Sequence, residues 1–114
     1  MNVSYAELEK EFADVCDSIE LLDDLYAGWY PNVKASLENS RRYKVQISLI
    51  KEKFGNLRIC CYKYVPEFSL ISSYACDISA KTCCKCGRFG QLRIKEGWYV
   101  TGCEECFQEW EIDR

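Results

Sequence analysis

The chain has 114 residues, 48% hydrophobic and 29% charged, with a net charge of −3. That is the composition of one soluble globular domain, not of a disordered chain, and no apolar run reaches the ~20 residues a membrane helix needs. Having no histidine removes Ser-His-Asp and Cys-His catalysis and every zinc site that needs imidazole.

The opening residues Met1 to Glu7 have neither the basic start nor the apolar centre of a signal peptide, so a cytoplasmic location is expected. Nine cysteines, an odd number in a chain without an export signal, then point to metal rather than disulfides. Charge divides along the chain. Residues 1–40 carry nine acids and two bases, and residues 41–114 carry the balance of +4.

In chain order, Ser4 and Glu7 form a capping-box pattern. Tyr5, Leu8, Phe12, Val15, Ile19, Leu22 and Tyr26 then follow at 3-4-3-4 spacing, which predicts one long amphipathic helix. Gly28 and Pro31 are expected to end it. Residues 33–40 suit a short second helix. Val45, Ile47 and Leu49 alternate with polar residues, as do Leu57, Ile59 and Cys61. With Lys53-Phe54-Gly55-Asn56 between them, they predict an antiparallel hairpin. Pro66 suits a helix start, and residues 67–81 have helical spacing. A second hairpin is expected around Glu96-Gly97, and Cys103 to Ile112 is expected to be a terminal helix. The predicted fold class is α+β in a single domain over residues 1–114: an acidic helical part (1–40), a hairpin and middle helix (41–82) and a treble-clef-like zinc unit (83–114).

Cys83-x-x-Cys86 and Cys103-x-x-Cys106 stand 16 residues apart. Two such pairs are a strong zinc signal, and four thiolates close a tetrahedral shell. One structural Zn²⁺ held by Cys83, Cys86, Cys103 and Cys106 is therefore expected. A redox pair would want a thioredoxin-like setting, which is missing. Cys84 is the alternative to Cys83, with poorer spacing. Cys16, Cys60, Cys61 and Cys76 fit buried thiols that act as small apolar residues.

The stretch from Leu49 to Arg58 reads LIKEKFGNLR. It is followed by Cys83-x-x-Cys86-Gly87, Leu92-Arg93, Gly97-Trp98 and Thr101-Gly102-Cys103-x-x-Cys106. With Gly28-Trp29 ahead of it, this pattern resembles a group of small, largely uncharacterised bacterial and phage proteins. That group carries QIKEKFGGLR, CxxCG, Leu-Arg, Gly-Trp and a final CxxC. The match spans residues 28–106. It departs at Leu49, where glutamine is typical, and at Asn56, where a second glycine sits. Asparagine tolerates the left-handed region, so the turn should survive. The resemblance implies zinc and the hairpin and carries no activity.

Two charged regions are candidate surfaces. Residues 7–24 hold eight acids and one base. Glu7, Glu11, Asp14, Asp17, Asp23 and Asp24 are the candidates for docking a basic protein, such as a nuclease or defence protein. Residues 41–63 hold seven bases and one acid with interleaved aromatics. Lys44, Lys51, Lys53 and Arg58 are the candidates for nucleic acid. The ordinary reading of both regions is solvated surface. A Gly-rich phosphate loop and a deaminase-type order of ligands are both missing, so no enzyme is expected. The function expected first is a zinc-stabilised protein-binding module, such as an immunity protein or phage counter-defence inhibitor, that occludes a basic partner through its acidic helix. The alternative is a nucleic-acid-binding regulator that uses the basic hairpin and the zinc unit.

Overall fold

The computed structural model describes residues 3–113. Ser4 caps the first helix, α1 (Tyr5–Glu11), by accepting a hydrogen bond from the Glu7 amide at 3.2 Å. The capping box is thus realised on the serine side. The helix stops at Phe12, far short of Tyr26. From there the chain turns and runs as an extended segment ending in β1 (Ile19–Glu20), which pairs in parallel with β2 (Ile47–Lys53). Apart from Leu22, every residue of the predicted stripe is buried. Its periodicity recorded burial, and burial was met by a strand. Val15 and Ile19 are β-branched, and Asp14, Asp17 and Ser18 disfavour a helix interior. Ile47 donates to the Val15 carbonyl at 2.8 Å, and Asp17 donates to the Ile47 carbonyl at 3.0 Å. Leu22 is left 70% exposed.

Two acids fasten this segment. The Glu9 carboxylate accepts from the Ile19 amide at 2.8 Å, and that of Asp23 accepts from the Tyr5 amide at 2.9 Å. A single 3-10 turn, Ala27–Trp29, leads into α2 (Tyr30–Arg42). Pro31 lies in the first turn of α2, so it begins a helix and does not end one. Arg41 and Arg42 occupy the last turn, where positive charge suits the dipole.

The first hairpin joins β2 to β3 (Asn56–Cys61) in the order β1-β2-β3, with an irregularity between Ile47 and Leu49. Its turn residues, Phe54 and Gly55, have φ of 52° and 86°, the signature of a type I′ turn. Asn56 already belongs to β3, so the left-handed position falls on Phe54 and not on the asparagine. Helix α3 (Pro66–Ser79) lies against β3, where Ser79 Oγ accepts from the Leu57 amide at 3.1 Å. Asn32 Nδ2 of α2 donates to the Ala75 carbonyl at 2.8 Å.

A second sheet has the order β5-β4-β6, built from β4 (Gln91–Lys95), β5 (Trp98–Gly102) and β6 (Glu111–Ile112). The expected hairpin is present, with Glu96 and Gly97 in the same left-handed pair. The expected terminal helix is absent. Residues 103–110 form consecutive turns, and the chain then pairs Ile112 with Arg93 and Glu111 with Ile94. Arg93, buried, donates to the Gly102 carbonyl at 2.8 Å and reaches that of Trp110 at 3.4 Å. These anchors fix the turns over residues 103–110 and the short strand after them, so the terminal helix on which the expected treble-clef arrangement rests does not form.

The core lies between α1, α2 and the inner face of the first sheet. Trp29, Val33, Leu37, Ile47, Ile50 and Leu57 are fully buried there. The second sheet meets the first at Gly55, whose carbonyl accepts from Thr101 Oγ1 at 2.7 Å.

Candidate metal centre

Two backbone turns build the centre. In the first, the Cys83 amide donates to the Arg88 carbonyl at 2.6 Å and the Gly87 amide returns to the Cys83 carbonyl at 2.9 Å. Gly87 has φ 85°, which lets the loop close without steric cost. In the second, the Cys106 amide points at Cys103 Sγ, 3.4 Å away. Together they bring the Sγ atoms of Cys83, Cys86, Cys103 and Cys106 within 4.8 Å of one another, with Cys86 and Cys103 3.6 Å apart. Ideal tetrahedral zinc thiolate, with Zn–S of ~2.3 Å, spaces its sulfurs by about 3.8 Å. The cluster can hold a metal ion. Cys83 is buried, Cys103 and Cys106 are half-buried, and Cys86 faces solvent.

The Cys106 N–H draws the Cys103 thiol down to about 7. A directed amide thus favours the thiolate at Cys103. Partial desolvation together with the neighbouring thiols pushes Cys86 and Cys106 upward. Arg88 and Glu105, one from each turn, bridge the centre at 3.2 Å.

Cys84 does not take the place of Cys83. It is buried in the apolar core, its thiol pushed up to about 12 by that burial. Its backbone faces both ways, with the amide donating to the Thr101 carbonyl at 2.9 Å and the carbonyl accepting from Gly28 at 2.7 Å. Gly28 is a packing position against the first cysteine turn that spacing rules do not reveal. A Cβ there would lie 2.3 Å from the Cys83 carbonyl and 2.4 Å from the Gly87 amide nitrogen. Beside it, Trp29 Nε1 donates to the Thr82 carbonyl at 3.0 Å. The Gly28-Trp29 pair is the signal that could have found this contact. Of the remaining cysteines, Cys16 is buried, Cys61 and Cys76 are half-buried, and Cys60 is exposed, against the expectation for it.

The candidate acids do not share one helix face. Glu7 and Glu11 lie on α1, and Asp24 lies in the loop before the 3-10 turn, all exposed. Three others are used inside the molecule. Asp14 grips Arg41 through two hydrogen bonds of 2.6 and 3.0 Å, Asp17 accepts from the Tyr62 hydroxyl, and Asp23 caps α1. Among the candidate bases, Lys51 pairs across the sheet with Glu20 on one side and Arg58 on the other. Lys53 sits at the end of β2 beside the turn, while Lys44 lies beyond α2. Strand β1 therefore lays an acid beside the basic row. Compared with protein-family models, with curated proteins and with solved structures, the chain matches none.

Proposed function

We propose that this protein is a zinc-stabilised, non-enzymatic binding module that occludes a basic protein partner, in the manner of an immunity protein or a phage counter-defence inhibitor. The carrying observation is the four-sulfur cluster. Four thiolates complete the zinc shell and leave no position for water or substrate, so the ion's work is to hold the fold. The donor set fits zinc, since thiolates are its soft ligands and each sulfur comes from a closed turn. The exposed carboxylates of Glu7, Glu11 and Asp24, on the side of α1, add the negative field that steers a basic partner.

Elemental analysis of reduced protein should give one zinc per chain, and Cys103→Ser should abolish it. A zinc content near zero overturns the reading. For the partner, captured protein should dissociate with rising salt, and reversing Glu7, Glu11 and Asp24 to lysine should weaken capture at least about tenfold. Capture indifferent to both salt and reversal would refute it. A second reading, nucleic-acid binding, draws on the adjacency of Lys51 and Arg58 on the outer sheet face. A salt-dependent gel shift abolished by Lys51→Glu with Lys53→Glu would favour that reading.

A further inference from the structure

We propose that the cleft between the two hairpin tips receives an arginine side chain of a basic partner. This deepens the binding reading above and rests on it. The two tips lie side by side, Phe54-Gly55 on one and Glu96-Gly97 on the other. They are fixed in place. A Cβ on Gly55 would meet the Leu92 side chain at 2.8 Å and the Val100 backbone at 3.2 Å. Between the tips lies a cavity of about 290 Å³ lined by Glu52, Lys53, Phe54, Gly97, Trp98 and Tyr99.

Three features of this cleft ask for a ligand. First, Phe54 occupies a left-handed backbone position, φ 52°, where asparagine or glycine is the comfortable residue and a bulky ring is strained. Its ring is nevertheless 64% exposed, so the core does not explain it. Second, Trp98 is 74% exposed beside it, and Tyr99 meets Phe54 edge-on, at 88° with centroids 6.2 Å apart. Two perpendicular aromatic walls and an open indole suit a flat cation. Third, the surroundings are acidic. The Glu52 carboxylate is held in the turn by the Gly55 amide at 3.0 Å. Glu96, Glu109 and Glu111 line the adjoining hollow with Lys95, which Glu109 pairs at 3.1 Å.

Lys53 shows which charge the rings accept. Its ammonium lies 5.9 Å from the Phe54 centroid. It is a flexible and strongly hydrated occupant, whereas a guanidinium is flat, weakly hydrated and stacks. The same rings can stack a nucleobase, but Glu52 in the cleft and the carboxylates of Glu96 and Glu111 in the adjoining hollow repel the phosphates that come with it.

The test uses zinc-loaded protein and the indole signals of Trp29, Trp98 and Trp110 in a nitrogen-correlated spectrum. The blocked peptide acetyl-Gly-Arg-Gly-amide should shift Trp98 and Gly97 saturably and leave the buried Trp29 unmoved, while the Gly-Ala-Gly peptide shifts neither. Phe54→Asn keeps the turn and removes the ring, and should weaken the arginine peptide at least about fivefold. Lys53→Ala removes the resident cation and should tighten it by about two- to fivefold. The proposal is overturned if the arginine peptide gives no saturable shift or acts no differently from the alanine one. It is equally overturned if oligothymidylate moves Trp98 at lower concentration. Should the peptide fail while salt-dependent protein capture persists, the cleft is wrong and the binding reading stands. Should capture fail while the peptide binds Trp98, the binding reading is the one that falls.

Discussion

Residues 3–61 and residues 82–113 hold their shapes by different means. The first region buries Trp29, Phe12, Leu8, Leu37, Ile47 and Ile50 in one continuous core. The last region adds to that core only Cys83, Cys84, Val100 and Phe107, and closes itself with a buried arginine, a buried threonine and four cysteines. Apolar burial is worth ~25 cal/mol per Å², too little to order so small a sheet by itself. A structural zinc site supplies about 10–16 kcal/mol, comparable with the whole stability of a domain. One stretch of chain is therefore organised by exclusion from water, while the other gathers four cysteines at a point that can hold a metal ion. They meet where Gly28 touches the first cysteine turn and where Gly55 lies under β4 and β5.

Removing the metal should break the comparison most sharply. In chelator, amides of β4, β5 and β6 should lose hydrogen-exchange protection, while those of β2 and α2 keep most of theirs. Equal loss in both regions would mean that the core depends on the ion throughout. Gly28→Ala comes next. Its Cβ meets the backbone of Cys83, Cys84 and Gly87, so the variant should lose about 1–3 kcal/mol or more and bind zinc more weakly. Leu37→Ala, fully buried in α2, should cost about 2–5 kcal/mol of unfolding free energy and leave zinc stoichiometry at one. Together these two variants separate the joint from the core.

The smallest effect concerns Asp14. The Arg41 guanidinium bonded to it holds its carboxyl below the ordinary range. A lowered folded value contributes stability above the unfolded value near 4, and that contribution is lost as pH falls through the folded value. Asp14→Asn should therefore melt at a temperature that converges with that of the parent chain in strong acid and falls below it at neutral pH. Identical melting profiles would show that the pair contributes nothing.

The later part of the chain was the more legible. Both hairpins and α3 were readable because their turn residues and spacing are local signals, as were the paired cysteine turns, whereas α2 was read only in part, as a short helix over 33–40 without its start at Tyr30. The misread segments, 12–26 and 103–112, share a cause. Each has helical spacing, but its conformation is set by a distant strand, β2 in one case and β4 in the other. The 3.6 period of Tyr5 to Tyr26 follows which side chains are buried and is silent about the backbone between them. The internal use of Glu9, Asp14, Asp17 and Asp23 was hidden for the same reason. Their partners Ile19, Arg41, Tyr62 and Tyr5 are fixed by tertiary folding. Most of the acidic block is surface charge as expected, and Asp14, Asp17 and Asp23 also fasten Arg41, Tyr62 and the Tyr5 amide.

The parallel seam between β1 and β2 also sets the tempo at which the molecule assembles. Ile19 pairs with Ile50 and Glu20 with Lys51 across an intervening stretch that contains all of α2. The β2–β3 ribbon has a two-residue turn and can zip early, but the edge strand must wait for a long loop to close, the slow class of event in chain collapse. Refolding should accordingly begin with the ribbon and the helices, and the first acidic stretch should be the last of the core to lock.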